Sequence, residues 1–347
     1  MTVHAFSSFS YSYLNRARVL ADGIKRVHPD WVLWAIVTDV PPQGMAHDWK
    51  EDGFDQVLFV ADLIDERREG WLFGHDVVEA CTAIKGAAAR RILDHPGCEK
   101  LVYFDPDIAV FNPIDEIVAR LDVSDIVLTP HQITPEARDA RQAILDNEIT
   151  SLSHGAYNLG FLALANRGEG RRFAEWWDER LRDWCHDRRD IGIFVDQKWC
   201  DLVPCFFDNV HVHRDPGCNV ASWNLSQRRV DIDEAGQVLV NGVPLKFYHF
   251  TKLGPVGDTM TERYARDNTA VYELWAWYRN AVREATDERV PEGYWFYNAF
   301  DNGTPIRPEM RRLYRERKDL QAAFPKPRTV SDGFHDWLAA ETDLMKA

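Results

Sequence analysis

Across residues 1–130, short apolar runs alternate with helix-length amphipathic stretches: "VHAFS", a helix near 12–28, "WVLWAIVTD", "QVLFV", a helix near 76–94, "KLVYF" and "DIVLTP". Parallel strands need a crossover of a dozen or more residues, usually a helix. The alternation therefore predicts an α/β fold: a mostly parallel, Rossmann-like sheet flanked by helices on both faces. In such open sheets, ligands collect at the carboxyl ends of the strands, where loops converge around a crevice.

The chain continues with a polar stretch at 131–150, expected to be helical and to form a flap or surface excursion. A strand "HGAYNLGFLALAN" follows, then a helix in which Phe173, Trp176, Trp177, Leu181 and Trp184 recur at helical spacing, as a core-facing stripe does. Strand candidates at 209–213 and 238–250 flank "DEAGQ", a hairpin turn by composition. A catalytic-type unit spans 1–257. Residues 258–347 form a helical C-terminal extension, with one long helix at 261–286 and another after a loop, as an appendage, an acceptor platform or a dimer surface.

Charge and composition exclude several classes of function. Forty-one Lys and Arg against 55 Asp and Glu give a net charge of −14, and no basic block tracks a phosphate backbone, so nucleic acid is not an expected partner. The strongest apolar run, "WVLWAIV", has the length of a strand, not the roughly 18 residues that cross a bilayer. The first residues lack a basic segment followed by a long apolar one, so no secretory signal is expected. Six cysteines without a C-x-x-C pair suit reduced thiols and a cytoplasmic setting, and argue against a zinc site.

"LVYFDPDIAVF" carries the chemistry. Strand side chains alternate with a period of two, so Asp105 and Asp107 converge on one point at a strand end even with Pro106 between them. Apolar flanks put both charges where burial without a counterion costs several kcal/mol. A hard divalent cation resolves the repulsion, filling its remaining positions with phosphate oxygens and water. The other reading is a structural acid. A second D-x-D, Asp231 and Asp233, precedes the hairpin turn, where solvation explains it.

The ordered strings "YFDPDIAVF", "YNLGFLAL", "VDQKWC" and "KFYHFTKLGP" resemble those of GT-A nucleotide-sugar glycosyltransferases over roughly residues 3–257, nearest the retaining branch of glycogenin and bacterial lipopolysaccharide galactosyltransferases. The resemblance implies Mn²⁺ or Mg²⁺ on Asp105, Asp107 and His249, with the imidazole favouring manganese. It implies a nucleotide-sugar donor, UDP-linked, and a carbohydrate or glycolipid acceptor. Asn158 and Gly160 would meet the donor sugar, the glycine by admitting backbone. Asp196 and Gln197 would lie at its reacting face, although Asp196 also suits a helix N-cap. Lys85 would reach sugar or phosphate, unless it is an ordinary surface lysine, and Lys252 would meet the diphosphate. The family commonly has Gly three residues after the His and Lys-Pro later, whereas this chain has Lys252, Gly254 and Pro255.

By the same resemblance the first strand–helix turn binds the nucleotide through Ala5, Phe6, Ser7 and Tyr11, with Asp39 a further candidate. In "GCNVASWNLSQRR", Trp223 and Asn224 are assigned to the acceptor side, with packing of the Trp as the alternative. The implied activity is metal-dependent sugar transfer, in bacterial surface polysaccharide or lipopolysaccharide synthesis, with room for peripheral contact at the inner face of the membrane. A sugar-1-phosphate nucleotidyltransferase would carry a glycine-rich phosphate loop, and "HAFSSFSYS" has no glycine. A carbohydrate-binding protein on a degenerate fold is the rival from another class.

Overall fold

The structure, a computed structural model, describes residues 2–65 and 68–345. The strands that frame the site are β1 (Val3–Phe9), β2 (Val32–Val37), β3 (Gln56–Phe59), β4 (Lys100–Phe104), β5 (Ile108–Val110), β6 (Ile126–Pro130), β7 (Tyr157–Ala165), β8 (Val210–Val212) and β9 (Phe247–His249). Seven of them make one sheet in the order β8-β6-β7-β4-β1-β2-β3. The pairs β1–β2, β1–β4, β2–β3 and β6–β8 are parallel, and β7 runs antiparallel between β4 and β6. The expected mostly parallel α/β sheet is the observed one.

Period-two alternation sorts the core onto two faces. Leu101 and Tyr103 of β4, with Phe6 and Leu162, pack under helices α2 (Val77–Ala83), α3 (Lys85–Leu93) and α4 (Gly168–Trp184). Val102 and Phe104, with Ala5 and Phe161, face α1 (Leu14–Val27) and the β5–β9 ribbon. In α4 the stripe buries Phe173, Trp177 and Leu181, whereas Trp176 is half-buried and Trp184 turns to solvent. The "DEAGQ" turn joins strands Val230–Ile232 and Val238–Val240, with Asp231 and Asp233 exposed.

The helix expected over 261–286 is two. Pro255–Ala265 (α5) and Thr269–Glu284 (α6) are separated where Arg266 adopts φ +50°, so the rod breaks there instead of continuing. Helix α5 begins before residue 257 and spans the expected boundary. Helix α6 lies against β9: Trp275 Nε1 donates to Tyr248 Oη at 3.1 Å, and the Tyr278 ring stacks on Phe250 at 3.9 Å. Among the described residues no helix is long and apolar enough to cross a membrane.

The C-terminal extension also closes over Asp39. That side chain, 5% exposed, accepts from the backbone N–H groups of Val40 (2.9 Å) and Phe296 (3.0 Å). Burial pushes its pKa up to about 7 from an ordinary 3.8. The native state thus binds more protons between those pH values than the unfolded chain, and stability falls as pH rises through that window. Asp39→Asn keeps the acceptor oxygen without the charge. It is expected to match the parent near pH 4 and to exceed it above about pH 8, by at most about 4 kcal/mol for a displacement of some three units. Urea denaturation at both pH values checks this, and an equal difference at both contradicts it.

Candidate active site

Asp105 and Asp107 are brought together by a turn. Strand β4 ends at Phe104, and Ile108 N donates to Asp105 O at 3.1 Å, closing a β-turn through Pro106 and Asp107. The convergence expected from strand alternation is therefore produced by turn geometry, because the chain must reverse to start β5. β5 then pairs antiparallel with β9 in a register that sets His249 opposite Ile108, beside the turn. His249 Nε2 lies 3.0 Å from Asp107 Oδ1 and 3.7 Å from Asp105 Oδ2. One potential ligand atom from each of the three lies within 4.8 Å of the others.

The ring orientation is imposed from behind. His249 Nδ1 lies 3.2 Å from Asn158 Oδ1, an atom that only accepts, so Nδ1 carries the proton. In the neutral ring Nε2 then aims a lone pair at two carboxylates. That arrangement needs a positive particle in the middle, either a proton on Nε2 or a metal ion. Burial alone would lower the imidazole pKa, but Asp107 and then Asp105 raise it above its ordinary value. Burial alone would raise the Asp107 carboxyl, and His249, with Arg16 behind it, holds it below. Two carboxylates and an imidazole nitrogen form a donor set suited to Mn²⁺, so the residues fit the implied ion.

Asn158 is fully engaged: Oδ1 also accepts from Gly160 N (3.1 Å) and Asn219 Nδ2 (3.0 Å), while Nδ2 donates to Gln197 Oε1 (3.2 Å) and His131 Nε2 (3.3 Å). Gly160 owes its identity to His249, since a Cβ there would sit 2.5 Å from the imidazole Cε1 and 2.6 Å from Nδ1. The close approach that this glycine permits is of a side chain, where the resemblance implied the donor sugar. Gln197 accepts from Leu159 N at 3.1 Å and donates to His154 O at 3.1 Å, which fixes its carboxamide.

Lys85 is not a surface lysine. It is 2% exposed, and its Nζ donates to Asp105 Oδ1 (3.0 Å) and Leu159 O (3.1 Å), lies 2.9 Å from Asp196 Oδ2 and sits 4.2 Å above the Tyr103 ring centre. The Asp196 contact is a buried ion pair at hydrogen-bond distance, and among the described residues Lys85 is the partner that faces Oδ2. Burial alone would lower the lysine pKa, but Asp105 and Asp196 hold it well above the ordinary value. Burial raises Asp196 to about 6, with Lys85 opposing. Asp196 does not cap the following 3₁₀ turn (Lys198–Leu202), because Gln197 occupies the cap position. Tyr103 Oη donates a short hydrogen bond to Asp105 Oδ1.

These groups open onto a cleft of 590 Å³, lined also by Ser8, Ser10, Tyr13, Trp223, Lys252 and Arg263. Lys252 is exposed at its rim with φ +55°. The segment expected to be a flap is helical from Arg141 to His154 and forms one wall, tied to α5 by Asp146, which pairs with Arg263 (2.6 Å) and accepts from Tyr264 Oη (2.7 Å).

The structure differs from several of these expectations. Ala5, Phe6 and Ser7 lie inside β1, at most 1% exposed, because the strand runs on to Phe9 and meets the cleft at Ser8–Ser10. Tyr11 packs on Trp49 (6.0 Å) away from the cleft, and Asp39 is covered by the C-terminal extension. Asn224 is fully buried, bonded to Ala221 N, Asn219 O and His131 O, so it faces no acceptor. Trp223 does line the cleft, edge-on to His249 at 5.2 Å. Asn219, expected with Trp223 on the acceptor side, instead donates to Asn158 and Thr129 behind the site, and sequence reasoning does not single out Tyr103 or His131. His131 directly follows β6, so the strand-end rule could have found it; burial lowers its pKa to about 4 and keeps it neutral.

No protein-family model matches the chain. YfnF of Bacillus subtilis (strain 168), an uncharacterized protein, is 28% identical over 177 residues, or 51% of this chain. That match spans 57% of YfnF, little more than half its length. YfnD of the same organism, also uncharacterized, is 26% identical over 259 residues, 74% of this chain and 70% of its own. Among solved structures, the galactosyltransferase LgtC with donor and acceptor sugar analogues is similar with TM-score 0.46 and 16% identity, over 84% of this chain and 98% of that one. Mouse xyloside xylosyltransferase 1 is similar with TM-score 0.43 and 13% identity, over 74% and 99% of the two chains.

Lys85→Met leaves buried Asp196 and half-buried Asp105 without their shared cation, and is expected to cost about 3–5 kcal/mol of folding stability. Urea denaturation at neutral pH reads it, and a loss below about 1 kcal/mol contradicts the bridging role. Gly160→Ala should displace His249, lowering Mn²⁺ affinity by at least about tenfold in calorimetric titration. Unchanged affinity would show that the ring is not a ligand.

Proposed function

We propose that the protein is a metal-dependent glycosyltransferase of GT-A architecture, transferring a sugar from a UDP-linked donor to a hydroxyl acceptor with retention of configuration. The observation that carries this is the Asp105–Asp107–His249 cluster, held at the carboxyl end of a parallel strand and facing the cleft. Mn²⁺ bound there would offset the negative charge that develops on a departing diphosphate. Lys252 at the rim adds a mobile positive charge on the same side. Lys85 holds Asp105 aimed at the cleft through its 3.0 Å hydrogen bond, which is preorganisation supplied before donor arrives. Asp196 and Gln197 lie at the reacting face of the sugar, and Asn158 holds the imidazole that completes the ligand set. Trp223 offers an apolar face to a carbohydrate.

A glycolipid acceptor, at the cytoplasmic face of a membrane where surface polysaccharide or lipopolysaccharide is built, suits the cleft wall. Its helical segment turns Asp146, Asn147, Thr150, Ser151 and His154 to the cleft and exposes Leu145 (52%), Ile149 (49%) and Leu152 (75%) outside the cleft lining.

Asp107→Ala should abolish Mn²⁺-dependent UDP binding in calorimetry while the thermal transition stays cooperative. Unchanged affinity would refute the metal assignment. Hydrolysis assayed over a panel of UDP, GDP and dTDP sugars, with acceptor-like sugars present, should release UDP from one donor. Silence across the panel would favour a carbohydrate-binding protein that does no chemistry.

A further inference from the structure

A second cluster of metal-ligating side chains lies outside the cleft, in "HVHRDPGCNVASWN". Strand β8 ends at Val212, and His213 N still donates to Leu128 O of β6 at 2.8 Å, so His213 sits on the sheet edge. A turn follows, in which Cys218 N donates to Asp215 O at 3.1 Å and Gly217 N to Asp215 Oδ1 at 2.7 Å. Gly217 is required there, because a Cβ would meet Pro244 O at 2.3 Å. The turn brings Asp215 and Cys218 back onto His213, with one ligand atom from each within 4.8 Å of the others. Cys218 is 2% exposed, and His213 Nε2 is buried without a hydrogen-bond partner among the described residues.

We propose that His213, Asp215 and Cys218 bind a zinc-class transition-metal ion. Imidazole, carboxylate and thiolate are ligands of such ions, and a thiolate disfavours Mg²⁺ and Ca²⁺. Thiolate and carboxylate together neutralise a dication. Bonds of about 2.0–2.3 Å space tetrahedral ligands by roughly 3.3–3.8 Å, which small side-chain rotations reach from the observed positions. The fourth position falls to water or to His211, whose ring centre is 5.7 Å from that of His213. The scarcity of paired cysteines had argued against zinc, and the mixed spacing H-x-D-x-x-C escapes that test.

The ion acts as a clamp. Cys218 immediately precedes Asn219, which adopts φ +54° and donates to Thr129 Oγ1 (2.9 Å) and Asn158 Oδ1 (3.0 Å), and Trp223 of the same loop lines the cleft. The site therefore fixes the loop that braces the His249 support, and it stands whether or not the cleft transfers sugar.

Cobalt titration of the intact protein tests it. The cleft triad contains no sulfur, so a thiolate-to-cobalt charge-transfer band reports the new site, with Cys81→Ala as control because Cys81 lines the cleft. The band is expected in the parent, in Asp107→Ala and in Cys81→Ala, and should be lost in Cys218→Ser and His213→Ala. Absence of the band in the parent, or its persistence in Cys218→Ser, overturns the proposal. If Cys218→Ser does not fold, X-ray absorption on the zinc-loaded parent decides. A sulfur shell near 2.3 Å supports the site, and a shell of nitrogen and oxygen only refutes it.

Discussion

Two carboxylates in one tight turn, Asp107 buried and Asp105 half-buried, cannot both be charged without compensation, and much of the surrounding structure supplies it. Lys85 approaches Asp105 from the helical face of the sheet, and His249 approaches Asp107 from the β5–β9 ribbon. Each of these is fixed in turn by a group with little other freedom. Lys85 is shared with Asp196 and the Leu159 carbonyl; His249 is held by Asn158 and by the missing side chain of Gly160. Fixed partners of this kind lower the reorganisation needed when charge develops nearby.

The C-terminal extension belongs to the same construction. Helix α6 buries Trp275 and Tyr278 against the strand that ends in His249, and α5 supplies Arg263 and Tyr264, which anchor the helical wall of the cleft through Asp146. A change in how these helices seat would reach the imidazole through one strand. The Asp39 contact ties the end of β2 to Phe296 of the extension.

The sheet and the carboxylate pair were legible because both follow from local rules: apolar runs with helical spacers, and paired charges beside a buried strand. Asp105, Asp107 and His249 meet although 142 positions separate the last two in the chain, and only the motif order in the sequence pointed to that. Roles assigned one residue at a time fared less well. Asn158 and Gly160 are expected to face ligand; Asn158 does line the cleft, but its Oδ1 and the bare Cα of Gly160 also seat the His249 ring, a long-range contact with no local signature. Ala5, Phe6 and Ser7 were misplaced because β1 runs two residues beyond the apolar segment and its serines are buried on both faces. The break at Arg266 was hidden by polar residues that suit a helix surface as well as a turn.

Anomalous diffraction from crystals soaked with Mn²⁺ and UDP tests the central claim most directly. The account predicts one manganese peak bonded to Asp105, Asp107 and His249, with diphosphate oxygens completing its shell. A cleft with UDP bound and no manganese at that turn, or the two aspartates rotated apart, would contradict it.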